Sequence, residues 1–539
     1  MKTFVPDLRR TTPFARLAAL LALALSMLPA LAVAAFAHAS LVAAEPADGA
    51  MLQAAPTRLT LSFSEPVSPL AMTLIAPDGG RTALEDIVLR DTTLDIATPA
   101  GLGKGTHVLS WRVVSTDGHP VGGSVVFSIG APSAAPIVVE AADWPVRGAL
   151  WAGRVALYTG LFLGVGGIFA GAFLTRDGPG RRFAAACLGL GAAGAVLSLG
   201  AQGLDALGAP LGRIGDSAVW QAAIATSFVR TVIVAALAFA LALAAVLTGG
   251  AKGRLLAAAA LAATGLALAL SGHAGAAEPQ WLTRPMVFLH GAGIAFWAGA
   301  LVPLGLSLRR GGAAAAAALR RFSVAIPYSV GALVIAGGTL AIVQVGHPAA
   351  LLDTAYGNVL LVKLALLATL FVLAIVNRFR LTRPALAGDG LATRRLTRMI
   401  VVEIALVLAI FAVAAVWRFT PPPRTLAIAA AQPAMVHIHT AQAMADVTVT
   451  PGQTGAVTVS IMLMTGEFGA LDAREVTLVL ANPEAGIEPI RRPAQKPGDG
   501  TWRVDGLVIP AAGRWTIRIH VLVSDYEMLR LGTEIEIRP

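Results

Sequence analysis

The sequence predicts a multi-domain membrane protein with an N-terminal β-sandwich or Greek-key barrel, an eight-helix transmembrane bundle and a C-terminal β-sandwich. Composition gives the first indication, because 56% of the 539 residues are hydrophobic and only 13% are charged. Such a chain is too apolar for an ordinary soluble protein. The second indication is placement: long apolar runs fill 151–418, whereas the segments on either side alternate between apolar and polar residues, as β-strands do.

The first 37 residues have the pattern of a secretory signal peptide, which is removed from the mature protein. A basic region precedes an apolar run from 17 to about 35, and Ala35-Phe36-Ala37 forms a small-x-small cleavage site. Cleavage there makes His38 the first residue, so that its α-amine and its imidazole can chelate one metal ion. Nitrogen-rich tetragonal sites suit Cu(II). The alternative is a histidine that lies beside the cleavage site by coincidence.

Residues 38–130 predict a small β domain. The runs 59–63 and 106–114 alternate, 124–129 continues the strand pattern, and glycine-containing turns separate these runs. About seven short strands in this length favour a β-sandwich or a Greek-key barrel.

The turn Asp117-Gly118-His119-Pro120 presents a carboxylate and an imidazole two residues apart. An Asp-x-His pattern is a weak metal signal by itself, because Asp-Gly is also ordinary turn chemistry. Together with His38 in the same small domain, the pattern becomes a strong one.

Eight apolar runs approach the roughly 20 residues that a helix needs to cross a bilayer. Gly and Ala are abundant in them, which allows close helix contact in lipid. The runs are 151–174, 183–201, 228–248, 254–271, 286–308, 324–345, 359–377 and 399–417. The single cysteine of the chain, Cys187, lies in the second run, which excludes an intramolecular disulfide and a thiolate metal cluster.

Basic residues are concentrated in alternate connections between these runs. The connections after the second, fourth and sixth runs carry only Arg213 and Arg284, whereas those after the odd-numbered runs are rich in arginine. By the positive-inside rule, the odd-numbered connections face the cytoplasm. We therefore predict a multi-pass protein of the bacterial inner (plasma) membrane with both soluble domains in the periplasm. Topology also explains the formal charge of +10, so no nucleic-acid partner is expected.

Ionisable residues inside apolar runs are costly, and they are functional candidates by default. His273 closes the fourth run and His290 lies about one turn into the fifth, so the two imidazoles can lie at similar depth on antiparallel neighbours. His347 follows the sixth run and is a third candidate for a membrane metal path. The alternative for each is an interfacial histidine bonded to a carbonyl or to water. Lys363 can extend toward the surface, and Glu403 can pair with a cytoplasmic arginine.

Residues 434–539 alternate again and predict a second β-sandwich, similar to small periplasmic immunoglobulin-like domains such as the YtkA-like family. Met435, His437 and His439 form a candidate metal site, because His437 and His439 project to one strand face. Met444 and Met464 are further thioether candidates, and thioether sulfur favours Cu(I). The alternative is a strand with histidines on its polar face and methionines in the core.

The N-terminal motifs resemble those of the periplasmic copper-binding protein CopC. The matching segments are His38-Ala-Ser-Leu, Glu45-Pro-Ala-Asp-Gly, Leu61-Ser-Phe-Ser-Glu-Pro-Val and Ser110-Trp-Arg-Val-Val-Ser-Thr-Asp-Gly-His-Pro-Val-Gly-Gly. Residues 151–418 resemble the inner-membrane partner CopD, most of all in His290-Gly-Ala-Gly-Ile-Ala-Phe-Trp-Ala-Gly. The chain is thus similar to a CopC–CopD fusion. Its expected parts are a signal peptide (1–37), a CopC-like domain (38–130), a linker (131–150), a CopD-like domain (151–418), a linker (419–433) and a C-terminal domain (434–539).

The resemblance implies a copper protein whose Cu(II) ligands are the amine and imidazole of His38, together with Asp117 and His119. It also implies copper capture in the periplasm and transport across the inner membrane, in copper import, homeostasis or resistance. The expected partners are the copper ion, membrane lipid and other periplasmic copper proteins. Trp111 is expected in the domain core, and His107 is expected to pack there as well.

Two other functions remain open on the sequence alone. A copper chaperone or assembly factor would supply an oxidase without transport. A histidine-brace copper oxidoreductase needs an open copper position, which a ligand from Asp117 disfavours, so we expect no enzyme. The chain has no Gly-x-x-x-x-Gly-Lys-Ser/Thr loop, and we therefore expect any transport to be passive or gradient-driven.

Overall fold

The structure is a computed structural model, and its three parts are best described one at a time. It describes residues 39, 41–46, 50–63, 66–114, 120–131, 133, 143–176, 178, 180–431, 433–440, 442–466, 469–524 and 526–538. The predicted signal peptide lies outside these residues.

The described part of the N-terminal domain contains nine short strands, compared with about seven expected from the sequence. They are β1 (Leu41–Glu45), β2 (Ala50–Leu52), β3 (Arg58–Phe63), β4 (Ser68–Ile75), β5 (Arg81–Ala83), β6 (Ile87–Arg90), β7 (Thr93–Ala97), β8 (Gly105–Val114) and β9 (Pro120–Ile129). One sheet has the order β1-β3-β7-β6 and the other β2-β9-β8-β4-β5. The described strands thus form two separate sheets, so of the two predicted forms the sandwich is the one observed.

The core of this domain forms where the alternating strands turn their apolar residues inward. Trp111 of β8 is buried and meets Phe63 of β3 edge-on, with ring centroids 5.2 Å apart. Gly123 of β9 makes room for the indole, because a Cβ there would lie 2.5 Å from Cζ2 of Trp111. His107 is 0% exposed, stacks on Phe127 and pairs through Nε2 with the carbonyl of Gly103 at 2.8 Å. Both core expectations are confirmed.

Eight helices in the described part of the chain are long and apolar enough to cross a membrane, as the sequence predicts. They are α1 (Trp144–Thr175), α2 (Arg181–Leu207), α3 (Phe228–Thr248), α4 (Gly250–Ala269), α5 (Gln280–Arg310), α6 (Gly312–Val345), α7 (Ala355–Leu386) and α8 (Gly390–Val416). Several begin well before the apolar run that predicts them, because polar residues continue the helix beyond its apolar part.

Helices α1 and α5 form the centre of the bundle and touch backbone to backbone. In the most apolar stretch of α1, 83% of the residues are buried, and in the most apolar stretch of α5, 67% are buried. A Cβ on Gly166 of α1 would lie 1.9 Å from the carbonyl oxygen of Ala295, and one on Gly299 would lie 2.2 Å from the carbonyl carbon of Gly166. Helix α1 also contains two π-helical turns, Gly160–Val165 and Gly171–Thr175. Small residues at the crossing permit this close approach, as is typical of helices in lipid.

The inner half of the bundle, toward the predicted cytoplasmic side, contains an aromatic cluster and a buried polar pair. The cluster consists of Phe169, Phe173, Phe296 and Phe322, with neighbouring ring centroids 4.5 to 6.5 Å apart. Glu403 is buried and accepts a hydrogen bond of 2.8 Å from Nδ2 of Asn377. Its observed partner is therefore an amide rather than the arginine expected from the sequence.

In the C-terminal domain, the residues that the structure describes form a second sandwich with eight strands. They are β10 (Ala434–His439), β11 (Ala443–Thr450), β12 (Gly455–Thr465), β13 (Glu475–Asn482), β14 (Ile487–Pro493), β15 (Trp502–Ile509), β16 (Gly513–Ser524) and β17 (Glu527–Ile537). The sheet orders are β10-β11-β12-β15 and β14-β13-β16-β17. The inward faces supply a core that includes Val447, Ile461 and the fully buried Trp515. The predicted linker 419–433 contains a short helix, α9 (Pro423–Ala431).

Candidate functional site

The three predicted Cu(II) ligands, His38, Asp117 and His119, lie outside the described residues and remain a prediction. Their place in the chain is nevertheless defined by the strands around them. Strand β8 ends at Val114 and its sheet neighbour β9 begins at Pro120, so Asp117 and His119 belong to the connection between these two strands.

The helical bundle contains a cavity of about 400 Å³ at one end. Its walls come from the first parts of α1, α3, α5 and α7 and from the last parts of the even-numbered helices. This is the end at which the chain enters the bundle, at the start of α1, and leaves it, after α8. The polar lining residues include Arg154, Gln202, Thr231, Ser271, His273, His290, Gln344, Tyr356, Lys363 and Arg418.

His290 lies on α5 and contributes its imidazole to the cavity wall. Helix α5 begins at Gln280, so His290 lies about 15 Å along the helix and about one turn into its apolar run, 286–308. Its Nδ1 atom is buried and has no hydrogen-bond partner in the described part of the chain. Gly337 of α6 leaves space for the ring, because a Cβ there would lie 3.1 Å from Cε1 of His290.

His273 lines the same cavity from the connection that follows α4. It begins a short helix, His273–Ala276, and its carbonyl accepts a hydrogen bond of 3.0 Å from Nε2 of Gln344. Gln344 is buried near the end of α6, and its Oε1 has no partner among the described residues. His273 and His290 thus both line one cavity, and the meeting of their imidazoles at similar depth remains a prediction.

His347 has a different place from the other two histidines. It is exposed, and its Nδ1 accepts a hydrogen bond of 3.3 Å from the backbone N–H of Ala350, at the start of the short helix Ala350–Asp353. The lining of the cavity does not include it. Its observed contact is that of a capping residue.

Cationic and aromatic side chains surround the outer part of the cavity. Nζ of Lys363 lies 4.6 Å from the ring centroid of Trp417, so this lysine faces the cavity wall rather than extending outward as expected. Arg418 pairs with Asp205 at 2.5 Å, and Arg154 lies 4.2 Å above the ring of Phe228. Sequence reasoning missed Arg154 and Arg418, although both are charged residues at the ends of apolar runs.

The C-terminal candidates lie on strand β10. Met435 is 50% exposed, and Nδ1 of His437 lies 2.6 Å from Oδ1 of Asp446 on β11. His439 is paired with the buried Met444 in the strand register, and its side chain is outside the described part. Among the described residues, no group of three or more His, Cys, Asp and Glu side chains could hold a metal ion.

These features define a multi-pass membrane protein with a polar cavity in its helical bundle and two β-sandwich domains. The CopC domain model matches residues 41–130, and the copper resistance protein D model, CopD, matches 316–417. The chain belongs to the CopC family and carries the CopC and CopD domains together, which is the arrangement of a CopC–CopD fusion.

Several known proteins are similar to parts or most of the chain. The chain is similar to the copper transport protein CutJ of Bacillus subtilis (strain 168), with 26% identity over 534 residues that cover 92% of this chain and 95% of that protein. It is 38% identical over 105 residues to copper resistance protein C of Xanthomonas campestris pv. juglandis, covering 18% of this chain and 82% of the relative. The crystal structure of CopC from Methylosinus trichosporium OB3b matches 19% of this chain and 100% of that chain, at 26% identity and a TM-score of 0.16. The first two relatives are named as a copper transport protein and a copper resistance protein, and not as enzymes.

Proposed function

We propose that this protein captures copper with its N-terminal domain in the periplasm and transports it through the helical bundle across the plasma membrane. The observation that carries the proposal is the cavity in the bundle, which His273 and His290 line from neighbouring helical segments. The family membership supplies the cargo, since the relatives are copper transport and resistance proteins.

The proposed capture site consists of the His38 amine and imidazole, Asp117 and His119. This donor set has three nitrogen atoms and one carboxylate, which suits a tetragonal Cu(II) ion. Because the amine belongs to the first residue of the mature protein, the site requires removal of the signal peptide after Ala37.

In the membrane, His273 and His290 would receive the ion. A neutral imidazole is a ligand for copper, and no cysteine lines the cavity in the described bundle, so no thiolate would retain the ion. The cationic groups nearby are held by partners: Asp205 pairs with Arg418, and the Trp417 ring lies beside Lys363. With the predicted orientation, the cavity end of the bundle faces the periplasm.

A second candidate function is that of a copper-holding assembly factor that does not transport. The extent of the cavity favours it, because the lining reaches Phe162 on α1 and Ala298 on α5 but stops before the inner ends of these helices. Such a protein would pass copper to a periplasmic acceptor. It would bind copper at the same histidines and give no accumulation in the cytoplasm.

Copper uptake into vesicles of known orientation tests the proposal. We expect His290→Ala to reduce uptake at least tenfold, because one of the two histidines that line the cavity is lost. His273→Ala should have a similar or smaller effect. His347→Ala is the matched control: this histidine is exposed and caps a short helix, so uptake should stay within about twofold of wild type.

Equal uptake by His290→Ala and wild type, at matched protein levels, would contradict the histidine path. Binding of copper without uptake by the wild-type protein would favour the assembly factor. Cu(II) capture by the N-terminal domain should be the same in His290→Ala and in wild type, since His38 and His290 belong to separate domains.

A further inference from the structure

The outer face of the sheet β14-β13-β16-β17 carries three arginines around one histidine. In the strand register, Arg518 on β16 is paired with Val479 on β13, which is paired in turn with Arg491 on β14. Arg530 on β17 is paired with His520, which lies two residues after Arg518 on β16. Residues directly opposite in antiparallel strands, and alternate residues of one strand, project to the same face of a sheet. The register thus places three guanidinium groups on one surface.

Arg518 and Arg530 are close enough for one small ligand to contact both. They are diagonal neighbours on adjacent strands, which places them about 7–8 Å apart, within the reach of long side chains. Arg491 lies two strands from Arg518, about 10 Å away at the usual strand spacing. Its charge acts at the same place, because the pKa of His520 is below its usual range, first through burial and then through the three arginines. Positive charge from all three therefore converges at His520.

The charge of this arginine cluster is not neutralised within the protein. All three arginines are exposed. In the part of the chain that the structure describes, no carboxylate is paired with them, including that of Glu475 on the same face. Other arginines of the domain are paired, Arg503 with Asp499 at 3.0 Å and Arg514 with Glu534 at 3.5 Å. Like charges on neighbouring strands repel each other, so the stability of the sheet does not account for the cluster.

A phosphate group is the ligand whose chemistry fits this surface. As a monoester it carries close to two negative charges and three strong acceptor oxygens. Guanidinium groups bind such oxygens through pairs of parallel N–H donors. A single carboxylate, with one charge and two oxygens, would leave the cluster with an excess of positive charge.

We propose that this face of the C-terminal domain binds phosphate groups, with Arg518 and Arg530 as the contacting pair and Arg491 as the third charge. A free oligophosphate and the headgroups of anionic lipid offer the same chemistry, and the experiment separates these two sources. The proposal goes beyond copper transport and does not depend on it, because the three arginines belong to the C-terminal domain alone.

The first measurement is calorimetric titration of pyrophosphate into the full-length protein, held in nanodiscs of neutral phosphatidylcholine at low salt. We expect the Arg518→Gln/Arg530→Gln double variant to bind at least about tenfold more weakly than wild type, because both contacting guanidinium groups are lost. Arg491→Gln should weaken binding less. The Arg503→Gln/Arg514→Gln variant is the matched control: it removes the same charge from arginines that already have partners, so its affinity should stay within about twofold of wild type.

The second measurement is the pKa of His520, followed by NMR of its imidazole, whose signal is identified by its loss in His520→Gln. A bound anion favours the imidazolium, so pyrophosphate should raise this pKa in wild type and not in the double variant. Nanodiscs that contain phosphatidylglycerol then separate the sources in the absence of pyrophosphate. A pKa raised by this lipid in wild type but not in the double variant means that headgroups bind the face; any other pattern leaves free phosphate as the source.

Equal pyrophosphate affinity in wild type and in the double variant would overturn the site. So would a wild-type protein that does not bind pyrophosphate and whose His520 pKa is the same in both kinds of nanodisc. The arginines exchanged at the site are exposed, so loss of folding would not mask the result, and a thermal melt of each variant verifies this. Copper uptake enters neither measurement, so the transport proposal and this one fail independently.

Discussion

A metal site made of His38, Asp117 and His119 uses ligands of unequal strength. A water molecule can replace a carboxylate oxygen more readily than an imidazole nitrogen, so Asp117→Ala should weaken Cu(II) binding less than His119→Ala. Isothermal titration of the mature protein measures both, with the exposed Asp86→Ala as the control from the same domain. We expect the control to match wild type. If both ligand variants bound like wild type, the assigned donors would be wrong.

Acid should weaken the same site, because the amine and both imidazoles must lose protons before they coordinate copper. N-terminal sequencing of the mature protein provides the companion measurement. Any first residue other than His38 would remove the amine ligand from the proposed set.

For single residues, the sequence predicts part of the candidate site. Its apolar runs indicate His273 and His290 as intramembrane imidazoles, and both residues line one cavity in the structure. His347 had the same local pattern but caps a short helix. The difference depends on which helices pack together, which no local pattern contains. Asp446 was missed for a similar reason, since only the strand register brings it beside His437.

Among the elements, the crossing of α1 and α5 depends on glycine. A Cβ at Gly166 would overlap the Ala295 carbonyl, whereas a Cβ at Gly171 on the same helix would meet nothing within 4 Å. We expect Gly166→Ala to lower the free energy of unfolding of the bundle by about 1–3 kcal/mol, the usual cost of overpacking. Gly171→Ala should be close to neutral.

Thermal unfolding in detergent, followed by size-exclusion fluorescence, compares these two variants. A lower midpoint is expected for Gly166→Ala alone. Equal midpoints would show that the two helices can separate at this position without loss of stability.

The membrane-spanning helices were predictable because each contains a long apolar run. All eight spans overlap the apolar runs that predicted them, because burial in lipid demands about 20 apolar residues in succession. Their ends were less predictable, since a helix such as α6 continues through Arg320 and Arg321 before the apolar run begins. The three-residue strands β2 and β5 were not identified individually, because so short a segment has no measurable alternation. The π-helical turns of α1 likewise left no pattern in the sequence.

For the whole molecule, the distribution of basic residues predicts the orientation in the membrane. The single cysteine, Cys187, is buried in α2, so a Cys187→Ala background permits labelling at introduced cysteines. Ser217, in the connection after α2, and Ala313, at the start of α6, are both exposed. In intact spheroplasts an impermeant maleimide should label Ser217→Cys at once and Ala313→Cys only after permeabilisation. The reverse pattern would invert the topology and place the cavity end in the cytoplasm.

The aromatic cluster of Phe169, Phe173, Phe296 and Phe322 has a consequence for the kinetics of the proposed transport. The cavity lining ends before these rings, which pack at 4.5 to 6.5 Å in the bundle interior. A copper ion at His290 would therefore reach this cluster, and not an extension of the cavity, on its way to the opposite side. Passage would then require the helices that bear the rings to rearrange, a motion of the microsecond-to-millisecond class. The protein would then work as an alternating-access carrier, whose flux saturates with copper concentration and is limited by the rearrangement rather than by diffusion.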